Sequence, residues 1–146
     1  MAAALAEARA AASRSEVPVG AVVVANGEIV AAAGNRTREL SDPTAPAEML
    51  AIRQASGALG NERLSAADLY VTLEPCAMCA GAIVHARLRR IYFAAEDPKG
   101  GAILNGPRLF ARPECLHRPD IYPGLGEREA AALLREFFAA RRGKAT

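Results

Sequence analysis

The sequence predicts an α/β fold in which helices cover a central sheet. Short runs rich in β-branched and aromatic residues alternate along the chain with longer runs that favour helix. Charged residues make up 23% of the chain and hydrophobic residues 51%, which is typical of a globular protein. The length of 146 residues fits one ordinary core, so we expect residues 1–146 to form a single domain.

The amino-terminal part is expected to form a helix followed by a β-hairpin. Residues 1–14 are mostly Ala, Leu, Glu and Arg, the residue types that favour helix most. Two short apolar runs then flank Asn26-Gly27, a pair typical of the type I′ turn. Strands are therefore expected over 21–25 and 28–31.

The middle of the chain is expected to alternate between helix and strand after a loop. Residues 34–45 are polar and rich in turn formers, which indicates the loop. Apolar residues then predict a helix opening at Met49 and ending near Ser56, before Gly57 and Gly60. A strand (69–73), a helix (76–87) and a strand (91–94) are expected to follow.

The carboxyl-terminal third is expected to be irregular before a final helix. Residues 97–126 contain five Gly and five Pro, which predicts a long segment without regular structure. The last helix is expected to run from about Glu127 to Arg142. Four apolar side chains are expected on its inner face: Leu133, Leu134, Phe137 and Phe138.

The composition argues against a membrane protein and against a disulfide scaffold. Uncharged stretches such as 17–25 and 75–84 fall far short of the roughly 20 residues of a membrane span. Glu7 and Arg9 interrupt the Ala-rich start, so it does not resemble a signal peptide. Three cysteines without a signal peptide indicate a reducing, cytoplasmic location. The net charge of +2 permits a nucleic-acid partner without requiring one.

The segment Pro75-Cys76-Ala77-Met78-Cys79 stands where a strand gives way to a helix. Two cysteines three residues apart on the first turn of a helix face the same way, close enough to share a metal ion. The helix dipole and the unpaired N–H groups at that end also stabilise thiolates. A metal site is favoured, while a redox dithiol and two unrelated buried thiols stay open.

A carboxylate upstream adds a second signal. Glu48 lies 27 residues before Pro75, near the start of a predicted helix. Alone, it indicates only a favourable contact with the helix dipole. Zinc deaminases, however, carry the pattern H-x-E…P-C-x-x-C, in which the Glu moves protons and does not bind the metal. This chain has the x-E and the P-C-x-x-C of that pattern.

Further motifs occur in order along the chain and extend the likeness from end to end. They are EVPVGAV (16–22), GNR (34–36), DPTA (42–45), LYVTLEPC (69–76), CAGAI (79–83), DPK (97–99) and FFAARR (137–142). With these motifs the chain resembles the bacterial tRNA adenosine deaminases of the cytidine-deaminase superfamily. The resemblance implies a three-layer α/β/α fold with a mixed five-stranded sheet. It also implies a homodimer that binds a tRNA anticodon stem-loop.

The same resemblance implies a role for each matching residue. One Zn²⁺ per chain would be bound by Cys76 and Cys79, and would activate a water for attack on C6 of adenine. Glu48 would take a proton from that water and deliver protons to N1 and the leaving ammonia. The implied substrate contacts are Asn35, the backbone of Ala47, Leu73 and Glu74, and the side chains of Asp97, Lys99, Phe138, Arg141 and Arg142.

Some of these residues also have ordinary structural explanations that stay open. Asn35 follows a glycine and suits a tight turn. Arg141 and Arg142 are common cations at the carboxyl end of a helix, where they balance the helix dipole.

The chain departs from the family pattern at Pro46, where His-Ala-Glu becomes Pro46-Ala47-Glu48. That histidine is the nitrogen ligand of the family zinc, and proline has no lone pair for a metal. Proline is well tolerated at a helix start, so the fold is expected to survive while zinc binding is weakened or lost. His85, Cys115 and His117 are considered as substitute ligands, but the resemblance places the segment of Cys115 and His117 away from the metal.

Three classes of function therefore stay open. The first is adenosine-to-inosine deamination in tRNA at the wobble position, or an inactivated form of that enzyme. The second is deamination of a free base or nucleoside, such as guanine or cytosine, on the same fold. The third is a non-catalytic protein that binds tRNA.

Overall fold

A mixed five-stranded sheet forms the centre of the computed structural model, which describes residues 1–144. The helices are α1 (Ala2–Ser13), α2 (Ala47–Leu59), α3 (Ala77–Ala86) and α4 (Glu127–Lys144). The strands are β1 (Gly20–Ala25), β2 (Glu28–Gly34), β3 (Ala67–Leu73), β4 (Arg90–Ala95) and β5 (Asp120–Pro123), and Leu109–Ala111 forms one turn of 3₁₀ helix. Residues 145 and 146 of the expected domain lie outside the described residues.

The strands are arranged in the order β2-β1-β3-β4-β5. β1 runs antiparallel to both β2 and β3, whereas β3, β4 and β5 are parallel. Helix α3 connects the parallel pair β3 and β4, as a parallel connection requires. α2 and α3 pack together on one face, and α1 and α4 pack together on the other. This arrangement confirms the expected three-layer α/β/α fold with its mixed sheet.

Small residues bring α1 very close to the sheet. Three alanines of α1, Ala4, Ala8 and Ala11, are fully buried between the helix and the sheet. A Cβ added at Gly20 would lie 1.9 Å from the carbonyl oxygen of Ala4. The approach therefore depends on the missing side chain at that glycine, and the alanines of α1 serve as packing residues in the core.

The hairpin follows the expectation from the sequence. Asn26 and Gly27 have φ of 53° and 76°, the two positive values that define a type I′ turn. The second strand extends beyond the expected residue 31 and ends at Gly34. The strand register shifts between Val23 and Val24, so β2 contains a bulge.

Expectations for two later segments were also wrong. Residues 97–126 are not irregular throughout, because β5 pairs with β4 and a 3₁₀ turn precedes it. β5 escaped detection because it contains Asp120 and Pro123, which are tolerated on an edge strand. Helix α2 continues past Gly57 and ends at Gly60, whose φ is +65°. Its buried Ala51 and Ala55 hold it to the sheet and outweigh the helix-breaking tendency of Gly57.

Fewer residues of α4 than expected are buried against the sheet. Ala130 is buried, and Leu133 packs against the same small cluster of apolar residues. Phe138 was expected on this inner face, but 43% of its surface is exposed. Its ring lines a surface groove together with Leu73 at the end of β3. Within residues 1–144, no helix combines the length and apolar character of a membrane span.

Candidate functional site

The candidate site lies where the amino-terminal ends of α2 and α3 meet. Glu48 is in the first turn of α2. Cys76 is the residue that caps α3, and Cys79 lies in the first turn of α3. Cys76 and Glu48 both raise the pKa of the Cys79 thiol, so the three side chains are close neighbours. The structure therefore brings together the three residues that the sequence analysis placed at the reacting centre.

Glu48 is an almost fully buried carboxyl group, with 5% of its surface exposed. Burial raises its pKa to about 7, and the negative charge of Cys76 adds to the increase. Its own backbone N–H and the Cys79 thiol oppose that increase. Its Oε1 atom has no hydrogen-bond partner among the described residues. Near neutral pH this carboxyl is suited both to accept and to return a proton.

The pKa values of the two cysteine thiols are shifted in opposite directions. The hydrogen bond from the Cys79 thiol lowers the pKa of Cys76 to about 5; burial opposes this, and the backbone N–H groups of Cys79 and Met78 assist it. The pKa of Cys79 is raised because its thiol donates to Cys76 and because it is buried beside Glu48. Cys76 therefore holds the negative charge of the pair and Cys79 holds the proton.

Pro46 occupies the position from which a third metal ligand would be expected. It caps α2 with φ −65° and ψ 161°, and its carbonyl accepts the Leu50 N–H at 3.2 Å. Within residues 1–144, no three side chains among His, Cys, Asp and Glu are grouped so that they could hold a metal ion. Catalytic zinc sites use three protein ligands. The described residues therefore do not fit such a site.

The substitute ligands considered from the sequence have other partners or surroundings. The Cys115 thiol donates to the His117 carbonyl oxygen at 3.0 Å. The His117 Nε2 atom lies 2.6 Å from the Leu88 carbonyl oxygen. His85 lines a separate groove together with Cys115.

Asn35 lies directly after β2 and is largely buried. Its N–H donates to the Val19 carbonyl oxygen at 3.0 Å. The N–H of the next residue, Arg36, donates to the carbonyl oxygen of Ala45 at 3.2 Å, which joins the loop to the residue before Pro46. The backbone thus connects Asn35 to the start of α2.

Four of the expected substrate contacts line one surface groove of about 550 Å³. They are Leu73, Asp97, Lys99 and Phe138. Arg141 lies outside this groove, where its guanidinium stands 4.7 Å from the centre of the Phe137 ring and donates to the Ser15 carbonyl oxygen. Arg142 is exposed near the end of the same helix.

The side chain of Glu74 has a role that the sequence analysis missed. Only its backbone was expected to matter, yet its carboxylate is 2% exposed and accepts five hydrogen bonds. The donors are the N–H groups of Asp97 (3.0 Å), Ile103 (3.0 Å), Leu104 (2.9 Å) and Asn105 (3.1 Å) and the Asn105 side-chain amide (2.7 Å). The sequence signal for this role was the Gly100-Gly101 pair. A Cβ at Gly101 would lie 2.4 Å from the Glu74 carboxyl carbon, so the close approach of the loop to Glu74 requires glycine there.

These hydrogen bonds keep the Glu74 carboxyl group ionised by lowering its pKa. Burial alone would raise its pKa, but the donors from Asp97, Asn105, Ile103 and Leu104 outweigh it and hold the pKa below its usual value. The ionised form is therefore part of the folded structure.

Comparison with known proteins places this geometry among deaminases. The MafB19-like deaminase family model matches residues 1–142. The tRNA-specific adenosine deaminase of Agrobacterium fabrum is 60% identical over 139 residues, which cover 95% of this chain and 91% of that protein. A structure from a study of A-to-I editing by tRNA:A34 deaminases at the wobble position of transfer RNA superposes with a TM-score of 0.90. It is 60% identical, and the match covers 92% of this chain and 97% of that one.

A structure with lower sequence identity to this chain is named for a different substrate, guanine. A structure described as guanine deaminase from Nitrosomonas europaea superposes with a TM-score of 0.75. It is 27% identical, and the match covers 93% of this chain and 81% of that one.

Replacing Glu74 by Gln is expected to lower the free energy of unfolding at pH 7 by about 2–3 kcal/mol. The amide loses the charge-assisted bonds and leaves buried N–H groups poorly paired. Because folding lowers the pKa of Glu74, its stabilising effect is complete above the unfolded-state pKa of about 4.3 and is lost as the pH falls through the folded-state value. The difference between wild type and Glu74→Gln should therefore shrink below about pH 4, as measured by urea unfolding.

Glu96→Gln is the matched control for this measurement. Glu96 is exposed, and among residues 1–144 it accepts one long bond, from the Asn105 side chain at 3.3 Å. Its replacement should change the unfolding free energy by less than about 0.5 kcal/mol. Equal effects of the two substitutions would contradict the role assigned to Glu74.

Proposed function

The chain belongs to the MafB19-like deaminase family, and we propose that it acts in the hydrolytic deamination of adenosine to inosine in tRNA. This reaction breaks a C–N bond, which places the protein among the hydrolases. The similarity to the Agrobacterium fabrum enzyme over nearly the whole of both chains is the observation that carries the proposal. The position and burial of Glu48 at the meeting point of α2 and α3 support it.

In the proposed reaction an oxygen from water replaces the amino group at C6 of adenine. The C6–O bond forms, the C6–N bond breaks, and ammonia leaves. Glu48 is the group that moves the protons: it accepts one from the attacking water and delivers protons to N1 and to the departing amine. The unpartnered Oε1 atom and the pKa of about 7 suit this two-way transfer.

The substrate is proposed to enter across the groove that contains Leu73, Asp97, Lys99 and Phe138 and across the loop at Asn35. Asn35 and the backbone of Ala47, Leu73 and Glu74 would contact the flipped nucleotide. Asp97 and Lys99 would contact neighbouring nucleotides, and the exposed ring of Phe138 offers a surface on which a base can stack. Arg141 and Arg142 would add positive charge near the phosphates.

Zinc is the cofactor of deaminases with the H-x-E…P-C-x-x-C pattern, but Pro46 denies this chain the nitrogen ligand of that site. We propose that Cys76 and Cys79 bind one Zn²⁺ per chain only weakly, because loss of a direct ligand exceeds the 10- to 100-fold effect of losing an outer partner. Deamination by this chain is then much slower than in a relative that has the histidine. Pro46 thus favours the non-catalytic tRNA-binding protein as the second candidate function.

The remaining candidate, deamination of guanine, cytosine or a nucleoside, receives less support. The guanine deaminase relative is much less similar to this chain than the tRNA deaminase relatives are. A panel of free bases, nucleosides and an anticodon stem-loop RNA separates the two substrates directly. We also place the protein in the bacterial cytoplasm, where tRNA is modified and where its three free cysteines would stay reduced.

We propose that the protein forms a homodimer through the surface around Leu116. This side chain is 83% exposed and borders a groove of about 230 Å³. The groove is lined by Gly81, Val84, His85, Leu109, Arg112, Glu114 and Cys115. Leu116 adjoins the mainly apolar groove, so a second copy that covers this surface would bury both.

Leu116→Lys is expected to weaken the dimer at least about 10-fold, because a charge would enter an apolar contact. Sedimentation equilibrium measures the dissociation constant. Ile29→Lys is the control, because Ile29 is also an exposed apolar residue, at 56% against 83% for Leu116, but lies in the hairpin. A Leu116→Lys variant that dimerises like wild type would rule out this surface.

Pro46→His is expected to raise both zinc content and inosine formation. The variant should purify with close to one zinc per chain, and its rate on an anticodon stem-loop RNA should exceed that of wild type by at least about 100-fold. Metal analysis by mass spectrometry and inosine detection by nuclease digestion provide the two readouts. Both the zinc content and the rate are expected to increase because an imidazole at position 46 completes a set of three protein ligands.

Two further variants control this comparison. Pro46→Ala removes the proline without adding a ligand and should behave like wild type. The double variant Pro46→His with Glu48→Gln should retain zinc but lose inosine formation, because the proton-moving carboxyl is gone. Stoichiometric zinc and full activity in wild type would overturn the proposed effect of Pro46.

A further inference from the structure

Glu16 is a buried charged side chain that the proposed reaction does not use. Only 1% of its surface is exposed, and it lies in the short segment between α1 and β1. A carboxylate removed from water is costly unless hydrogen-bond donors reach it. The Arg38 N–H donates to it, with N···O distances of 2.9 Å to Oε1 and 3.3 Å to Oε2. The carboxylate of Glu16 therefore joins the end of α1 to the loop of residues 35–45.

The chain turns sharply after α1, and this turn places Glu16 beside the loop. Ser15 has φ of 64°, in the left-handed region that favours glycine. The Glu16 N–H donates to the Ala11 carbonyl oxygen at 2.9 Å and closes the end of the helix. A serine held in this conformation costs free energy, and such residues are concentrated at functional sites. Residues 14–16 thus form a corner whose shape is fixed by the end of α1.

The same corner holds the backbone of Asn35. The Arg14 Nη2 atom donates to the Asn35 carbonyl oxygen at 3.3 Å, and the Asn35 N–H donates to the Val19 carbonyl oxygen at 3.0 Å. Among residues 1–144, however, the side-chain amide of Asn35 makes no hydrogen bond, although the residue is largely buried. An amide with both donor and acceptor atoms uncommitted is available to a ligand.

The loop of residues 35–45 behaves as one unit because its own backbone bonds close it. The Arg36 N–H donates to the Ala45 carbonyl oxygen at 3.2 Å, and the Asp42 N–H donates to the Thr37 carbonyl oxygen at 2.9 Å. An anchor at one point of such a loop restrains the rest of it, including its first residue. The bond to Glu16 is an anchor of this kind, and its acceptor is buried.

The corner also contacts the last helix. The Ser15 carbonyl oxygen accepts the Arg141 Nη2 at 2.9 Å and the Arg38 Nη1 at 3.4 Å. Arg141 is a second residue proposed to lie near the RNA. Residues 14–16 therefore contact both the loop of Asn35 and the end of α4, two elements that the proposed function assigns to the substrate.

We propose that Glu16 is a positioning residue for nucleotide binding: its carboxylate anchors the loop of residues 35–45 through Arg38, and the loop holds Asn35 where it contacts the nucleotide. The proposal rests on the proposed function, because Asn35 contacts a nucleotide only if the chain binds RNA. Glu16 itself touches no substrate. What it supplies is an acceptor oxygen, which an apolar side chain of similar volume cannot replace.

The first experiment measures the anchoring itself, in the full-length protein without RNA. Glu16→Leu and Glu16→Met each remove the oxygen acceptor but keep a side chain of similar volume, whereas Glu16→Gln keeps one acceptor oxygen. Hydrogen exchange of peptides from 36–45 is expected to be at least about 10-fold faster in the Leu and Met variants and close to wild type in the Gln variant. Exchange in β3 and β4 should not change.

The second experiment measures the dissociation constant for an anticodon stem-loop RNA by fluorescence anisotropy. Glu16→Leu is expected to bind at least about 5-fold more weakly than wild type, and Glu16→Gln within about 2-fold of it. Asn35→Ala supplies the decisive comparison. Because Glu16 acts through Asn35, the double variant Glu16→Leu with Asn35→Ala should bind within about 2-fold of Asn35→Ala alone. A general effect on the structure would instead give losses that multiply.

Glu39→Gln is the matched control. Glu39 is an exposed carboxylate of the same loop and pairs with Arg36 at 2.8 Å. Exposed ion pairs contribute little, so its replacement should change both the exchange rate and the dissociation constant by less than about 2-fold. Circular dichroism confirms that each variant is folded at the temperature of the assay.

Three results would overturn the proposal: unchanged loop exchange in the folded Leu and Met variants, unchanged RNA binding despite faster exchange, or losses that multiply in the double variant. Failure of wild type to bind the stem-loop RNA would overturn the proposed function instead. The exchange measurement needs no RNA, so it still decides whether Glu16 anchors the loop, and the two failures are distinguishable.

Discussion

The buried carboxylate of Glu74 organises the end of the sheet on which the candidate site is built. Its five hydrogen bonds hold residues 97–105 against the end of β3. An unpaired carboxylate in this position would be very costly, so the loop must supply its N–H groups or the strand end cannot stay buried. The next residue, Pro75, accepts the Ala102 N–H at 2.9 Å, which ties the same loop to the start of α3. Through these contacts one side chain sets both the floor of the groove and the position of Cys76.

At the start of α2, Pro46 removes a metal-binding imidazole without disturbing the fold. Pro46 needs no N–H of its own at the cap of α2, and its carbonyl still accepts the first bond of the helix. The preceding turn is held independently, since the Thr44 N–H donates to the Asp42 side chain at 2.8 Å. The proline therefore costs the backbone almost nothing. What it changes is the set of groups that face the cysteines, which is a matter of chemistry alone.

Burial and proximity together account for the electrostatics around Glu48. The carboxyl is removed from water, and the nearest negative charge is on Cys76, so both influences favour its neutral form. Cys76 and Glu48 both raise the pKa of the neighbouring Cys79 thiol. The three side chains therefore form one connected unit, and a change at any of them alters the proton affinity of the others.

The sequence by itself determined the features that depend on neighbouring residues. The Asn26-Gly27 turn, the order of the helices and of four strands, the spacing of Cys76 and Cys79, and the missing donor at Pro46 all follow from local propensity or from residue chemistry. The resemblance implied five strands, but the location of the fifth strand, the side-chain role of Glu74 and the exposure of Phe138 did not follow from the sequence. Each of these is decided by a partner far along the chain: β4 for β5, residues 97–105 for Glu74, and the packing of α4 on the sheet for Phe138. Only the tertiary structure could decide them, because hydrogen bonding and burial between distant segments leave no pattern in the local sequence.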